Sequence, residues 1–263
     1  MLEKMSYEEY ESRPGIRQSS LGNLEKNPAL FRFALEHPTE KEDFTFGRAF
    51  HTLILEPVMF DDQFETIPEG CKKGSREWKA VVESGRQPLR FNEDKELEAM
   101  AASVRAHKTA SQILALCPEK EMSIFWKDKQ TGVECKARLD APCPGIEVVA
   151  DLKSTKGVAK GEFAKSIHNY KYAYQAAHTL NGCAALGLPF SRFVFIGVEK
   201  EEPYQIAVYE LDQPSIIYAA AKVQELLWLY KRCMESGIWP GYPDEIQQIS
   251  LPPWATKNWE NEE

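Results

Sequence analysis

Two strand-like runs joined by a proline-rich reversal limit most sharply what this chain can fold into. Val133 to Asp140 and Ile146 to Lys153 flank Ala141-Pro142-Cys143-Pro144-Gly145. Such a turn returns the second run beside the first and brings Asp140 close to Asp151. Side chains alternate along a strand, so Asp151 and Lys153 share one face while Leu152 points to the other. One face is free for chemistry and the other packs. Two carboxylates held together repel unless a cation lies between them, and oxygen ligands with open positions suit a hard ion such as Mg²⁺ or Mn²⁺. Lys153 is then the charge that orients a water or steadies a phosphate. The plainer alternative is an exposed hairpin with scattered charges, because Asp and Lys are common on solvated strands.

The 263 residues allow one large domain or two small ones, and 43% hydrophobic content supplies a core. Neither a repeat nor a linker is visible, so residues 1–263 read as one domain: a mostly helical part (1–118), a sheet with a crossover helix (119–212), and a C-terminal helix with a tail (213–263). No run reaches the roughly 18 apolar residues needed to cross a bilayer, and the opening residues lack a secretory apolar stretch, which points to the cytoplasm without membrane attachment. Cys71, Cys117, Cys135, Cys143, Cys183 and Cys233 are dispersed without a Cys-x-x-Cys pair, so neither a zinc knuckle nor a disulfide framework is expected, and they read as buried small hydrophobes. A net charge of −8 argues at first sight against a nucleic-acid partner. The acidic residues gather at Glu36 to Asp43, Glu93 to Glu98 and Glu260 to Glu263, however, which leaves room for a basic channel elsewhere.

In chain order, Ser19 or Ser20 reads as the N-cap of a helix from about Leu21 to His37, restarted at Asn27-Pro28. The amides of such a helix start also make an anion site. Phe44 to Glu56 reads as a second helix with Phe46, Phe50, Leu53 and Ile54 on its apolar side. His51 lies one turn after Gly47 on the same face; it is either a packing residue or a ligand. Lys72, Lys73, Arg76, Lys79, Arg86 and Arg90 form the densest basic patch, a solvated face or a phosphate track, around a helix capped by Ser75. Asn92 and Thr109 are expected caps of the next two helices. Glu121 to Lys127 and Val133 to Asp140 form a hairpin, Ile146 to Lys153 a third strand, Phe163 to Leu186 a long helical region stopped by Gly187. Two more strands (Ser191 to Val198, Tyr204 to Leu211) and an amphipathic helix (Gln213 to Gly237, with apolar positions at Ile216, Ile217, Ala220, Val223, Leu226, Leu227 and Tyr230) follow, and the proline-rich tail from Ile249 to Trp254 is expected to pack on its own or a neighbouring subunit.

This order, with Asp140 and Asp151-x-Lys153 on successive strands, resembles the PD-(D/E)XK nuclease superfamily. Gly47-Arg48-Ala49-Phe50-His51 looks like the Gly-x-x-x-His motif of its RecB-like branch, and Gln175 like that branch's glutamine. The segments Pro14 to Leu21, Gly47 to Pro57 and Ile249 to Ala255 are similar to the RecE (exonuclease VIII) nuclease-domain family, so the likeness spans the chain almost end to end. Where that family's glutamine is followed four residues on by tyrosine, this chain has Thr179, although Tyr170, Tyr172 and Tyr174 lie just before.

The resemblance implies an α/β fold of the α+β kind: a PD-(D/E)XK core with a central mixed β-sheet flanked by helices and an N-terminal helical elaboration. It implies a Mg²⁺-dependent exonuclease, with Mn²⁺ able to substitute, that digests one strand of linear double-stranded DNA from 5′ to 3′. It also implies a homo-oligomeric ring, expected as a tetramer, and a RecT-type single-strand annealing protein as partner. By position, His51, Asp140, Asp151 and the Leu152 carbonyl would hold metal. Lys153 would serve the attacking water, Gln175 would orient Lys153 or the substrate strand, and Glu121 would touch a second metal or a water. Lys72, Lys73, Arg76 and Lys79 would face a DNA channel, and Arg17 with Ser19 or Ser20 would take the terminal phosphate. The alternatives are a structure-specific or restriction-type endonuclease of the same fold and a non-catalytic DNA-binding or assembly protein on a nuclease scaffold. The cysteine spacing disfavours an iron–sulfur nuclease.

Overall fold

A computed structural model describes residues 1–37 and 43–252. The chain opens on β1 (Glu3–Lys4) and α1 (Tyr7–Ser12), the latter capped by Ser6. Then come α2 (Gln18–Lys26) and α3 (Pro28–Glu36), parted at Asn27, whose side-chain oxygen accepts from the amides of Ala29 and Leu30. Neither Ser19 nor Ser20 is the cap of α2. The helix starts at Gln18, Arg17 takes the cap position without a side-chain bond, and both serines fall in the first turn.

The rest of the helical part comprises α4 (Asp43–Leu55), α5 (Phe60–Gln63), β2 (Phe64–Thr66), α6 (Arg76–Glu83), β3 (Gln87–Leu89), α7 (Phe91–Ala106) and α8 (Lys108–Leu116). Ser75 caps α6 as expected. At α7 the Glu93 carboxylate reaches back to the amide of Arg90, and at α8 the His107 ring accepts from the amide of Ala110, so Asn92 and Thr109 are not the caps. Each helix begins one residue before the expected cap, so Asn92 and Thr109 already lie within the first turn.

The centre holds β4 (Met122–Lys127), β5 (Glu134–Leu139), β6 (Ala141–Cys143), β7 (Val148–Thr155), α9 (Lys160–Asn169), α10 (Tyr172–Ala185), β8 (Arg192–Glu199) and β9 (Ile206–Glu210), and α11 (Gln213–Ser236) follows. β1, β4 and β5 form one sheet, and β6-β7-β8-β9 a mixed second one in which β7 and β8 run parallel across the α9–α10 crossover. The expected reversal at 141–145 comes slightly later. Residues 141–143 still pair with β7, and the turn is made by Pro144–Ile146 with Glu147 left-handed at φ 57°. Pro142 is tolerated because β6 is an edge strand. The long helical region expected from Phe163 to Leu186 is made of two helices, parted at Tyr170-Lys171 where Lys171 has φ 59°.

Period-two alternation sorts β7 and β8 between two cores. Val149, Phe193 and Phe195 join Phe163, Tyr174, Leu226 and Leu227 on one face. Val148, Ala150, Leu152, Val194 and Ile196 join Phe50, Leu97 and Met100 on the other. With helices on both faces, β7 can read as a near-continuous apolar run. Its first two polar residues, Asp151 and Lys153, fall on the Val149 face toward α10.

Two further expectations are corrected. The expected burial holds for Cys117, Cys135, Cys143, Cys183 and Cys233, with Cys71 half-buried, but Cys117 at the end of α8 and Cys143 on β6 are paired as a disulfide that the spacing did not indicate. Ile217, read as a core position of α11, is exposed. Ile249 and Leu251 of the tail are exposed on this chain, and Pro253, Trp254 and Ala255 lie outside the described residues. No helix among the described residues is long and apolar enough to cross a membrane.

Candidate active site

Asp140 sits alone between β5 and β6, at the point where the strand leaves the β4–β5 sheet for the β6–β7 sheet. That bend turns its carboxylate toward β7, where Oδ2 accepts from the amide of Leu152 at 2.9 Å. Opposite, Glu121 stands at the head of β4 in a left-handed conformation, φ 53°, and its amide donates to the Asp140 carbonyl at 2.8 Å. From α4, His51 Nδ1 comes within 3.4 Å of Asp140 Oδ2 and 3.8 Å of Glu121 Oε1. One donor atom from each of His51, Glu121 and Asp140 lies within 4.8 Å of the others. Arg138 braces the group: its Nε donates to Glu121 Oε2 at 2.6 Å, while its Nη1 holds the Met5 carbonyl at 3.2 Å.

Asp151 lies beside this trio, with its carboxylate held by partners of its own. Its Oδ1 accepts from Gln175 Nε2 at 2.6 Å, and its Oδ2 lies 2.6 Å from Lys153 Nζ. The Oδ2 atom is buried and poorly aligned for a hydrogen bond with that amine, which leaves it coordination to spare. Tyr172, one turn before Gln175 on α10, lays its ring 4.8 Å from the same amine.

The electrostatics show a site with an excess of negative charge. Burial, and then the neighbouring Asp151 carboxylate, push Asp140 up to about 7. For His51 burial disfavours the imidazolium, but Asp140 and Glu121 outweigh it and raise the ring to about 9. Burial likewise opposes the charge on Lys153, yet Asp151 and Asp140 raise its pKa. A divalent cation between these groups would relieve that excess. One imidazole, two carboxylates and a spare buried carboxylate oxygen are the donors that Mn²⁺ and Mg²⁺ accept, so the residues fit a divalent ion.

A cleft of about 900 Å³ opens onto His51, Glu121 and Asp140 and is also lined by Tyr7 and Arg48. A Cβ placed on Gly47 would meet nothing within 4 Å, so this glycine widens the cleft it lines instead of admitting a packed element. Arg48 lies over the Tyr7 ring at 5.1 Å.

The structure therefore brings together His51, Glu121, Asp140, Asp151, Lys153 and Gln175, with the Leu152 amide bound to Asp140. It differs in emphasis from the sequence reading. Glu121, assigned there to a second metal or a water, is part of the inner cluster, whereas Asp151 is held by Lys153 and Gln175. Arg138 and Tyr172 went unnoticed as supports, although Arg138 is two residues before Asp140 and so on the same strand face. Lys72, Lys73, Arg76 and Lys79 are exposed on and before α6 and do not line the cleft. Arg17 is paired with Glu11 at the start of α2; Ser19 is exposed and Ser20 half-buried.

A solved structure of a candidate exonuclease from Eubacterium rectale superposes with a TM-score of 0.65 over 96% of this chain and 98% of that one, at 13% identity. A phage-related exonuclease from Haemophilus somnus 129PT matches at a TM-score of 0.37 and 11% identity, over 86% of this chain and 97% of that one. Comparison with curated proteins gives no match. The first superposition speaks to the fold alone. It agrees with a family profile that covers residues 19–252, and the chain belongs to that family, the PDDEXK-like domain of unknown function DUF3799.

Proposed function

We propose that this protein is a divalent-metal-dependent deoxyribonuclease, and specifically an exonuclease of the RecE type that digests one strand of linear duplex DNA from 5′ to 3′ and leaves 3′ single-stranded overhangs. The observation that carries the reading is the convergence of His51, Glu121 and Asp140 beside a buried Asp151–Lys153 pair on a PDDEXK-like fold.

His51, Glu121 and Asp140 would hold Mg²⁺, or Mn²⁺ in its place. When bound, such an ion would supply Lewis-acid activation of water and neutralisation of charge on the phosphate. The chain's own groups do the rest. Lys153, kept protonated by Asp151, is a hydrogen-bond donor and not a base, and so orients the water or the phosphate oxygen. Gln175 fixes the Asp151 carboxylate, Arg138 fixes that of Glu121, and the Leu152 amide fixes that of Asp140. Placement of this kind is what lets a site act without reorganising during the reaction.

Linear double-stranded DNA is the proposed substrate. Enclosure of a duplex suggests a closed ring of copies, with a tetramer as the favoured form, and a RecT-type annealing protein is the proposed recipient of the overhang. Lys72, Lys73, Arg76 and Lys79 are offered as the basic lining of that channel, and Arg17 with Ser19 or Ser20 as the terminal-phosphate contact. The test is end-labelled linear duplex against a covalently closed circle, each with and without Mg²⁺. Digestion of the linear form from its 5′ ends alone is the expected result; nicking of the circle would favour an endonuclease, and unchanged digestion by Asp151→Ala would show the site to be elsewhere.

A further inference from the structure

An aromatic column leads outward from the site. Lys153 Nζ lies 4.8 Å from the Tyr172 ring, and the Tyr170 ring lies 5.6 Å beyond it at an interplanar angle of 27°. Tyr172 is backed by Phe195 of β8 at 5.9 Å, so the inner ring is fixed. Tyr170, in contrast, is 66% exposed.

The backbone goes out of its way to produce this. The crossover helix breaks between the two tyrosines, and Lys171 occupies the left-handed region at φ 59°, which non-glycine residues seldom adopt. Two bonds to Glu25 of α2 hold the break in place: Lys171 Nζ at 2.8 Å and the Tyr174 hydroxyl at 2.7 Å. An unbroken helix would carry residues 170 and 172 to different faces. Here they stack, with a solvent-facing ring at the outer end and the buried amine at the inner end.

We propose that Tyr170, stacked on Tyr172 above Lys153, is a platform on which an unpaired nucleobase of the substrate stacks while its strand reaches the metal site. The proposal rests on the nuclease reading and names the form of DNA the site takes: a frayed or single-stranded terminus. A base inside a duplex already has both faces covered, so an exposed ring gains contact only with one that has left its stack. Every base has a π-face, so the grip is indifferent to sequence. An amine at the inner end of the column would meet the phosphate belonging to that strand.

The experiment places 2-aminopurine at the terminal or an internal position of an oligonucleotide duplex and measures its emission with the full chain in Ca²⁺. The same proteins are then assayed for digestion in Mg²⁺. The wild-type chain is expected to quench the terminal probe and leave the internal one unchanged. Tyr170→Ala should lose the quenching and raise KM by about tenfold, with kcat changed much less, matching the worth of one base–aromatic stack. Tyr170→Phe and Tyr170→Trp should keep both. Wild-type digestion accompanied by equal quenching and equal KM in Tyr170→Ala would overturn the platform while leaving the nuclease reading intact. Tyr170-dependent quenching without digestion in Mg²⁺ or Mn²⁺ would do the reverse.

Discussion

Gln175 Nε2 donates to Asp151 Oδ1 at 2.6 Å, so a side chain from the crossover helix fixes the carboxylate of the central strand. The other oxygen of that carboxylate faces Lys153, and rotation about its side chain would break both contacts at once. Gln175→Ala should therefore lower kcat on linear duplex by about 10- to 100-fold, the usual effect of removing a partner that orients a site carboxylate. Gln175→Glu should be at least as damaging, because it sets a second carboxylate against Asp151. Both variants should keep their melting temperature within a few degrees, since Gln175 is only half-buried. Steady-state kinetics together with thermal melts check this.

Lys136 should matter for stability more than for chemistry. It is a buried lysine on β5 that makes no ion pair among the described residues, and its Nζ donates to the carbonyls of Tyr10, Glu11 and Arg13 at 2.8, 3.1 and 2.7 Å. These bonds tie down the end of α1, just after residues that line the cleft. Lys136→Met preserves the aliphatic length but leaves three acceptors without their donor, at a cost of about 2 to 4 kcal/mol. Denaturant unfolding should show that loss, and hydrogen exchange should show faster opening at residues 4–13 than elsewhere.

His178 should make stability depend on pH. The ring is buried on α10 with Nε2 at 3.2 Å from the Ile16 carbonyl and 3.3 Å from that of Lys136, and burial lowers its pKa from 6.5 to about 4. Between those values the unfolded chain takes up a proton that the folded chain refuses. Stability is thus complete above pH 6.5 and falls as pH drops toward 4, by about 3 kcal/mol in all. His178→Gln cannot take up that proton. Its unfolding free energy should be flatter than the wild type's across the window, whatever its absolute value, and urea titrations at several pH values measure the difference.

Much of this arrangement was legible in the sequence because its signals are local. Strand alternation placed Asp151 and Lys153 on one face and Leu152 on the other, as the two cores show. Asn27-Pro28, Ser75 and Gly237 marked helix ends because their chemistry acts within one turn. What escaped depended on contacts distant in sequence. The importance of Glu121 follows from pairing with Asp140 across the hairpin and from a helix some 70 residues earlier supplying His51. The break at Lys171 carries no glycine or proline and is held by Glu25, far upstream. Cys117 and Cys143 lie 26 residues apart without a spacing pattern, and only the packing of α8 on β6 brings them together. Proline at 142 suggested a turn where an edge strand tolerates it.

α4, the head of β4 and the β5–β6 joint supply the three ligands of the proposed metal site. Calorimetric titration of the purified chain with Mn²⁺, alongside His51→Ala, Glu121→Gln and Asp140→Asn, tests it most directly. The parent should bind saturably and each variant at least about tenfold more weakly, with digestion of linear DNA lost in the same order. A parent chain that binds no Mn²⁺, or a Glu121→Gln chain that binds as tightly as its parent, would contradict it.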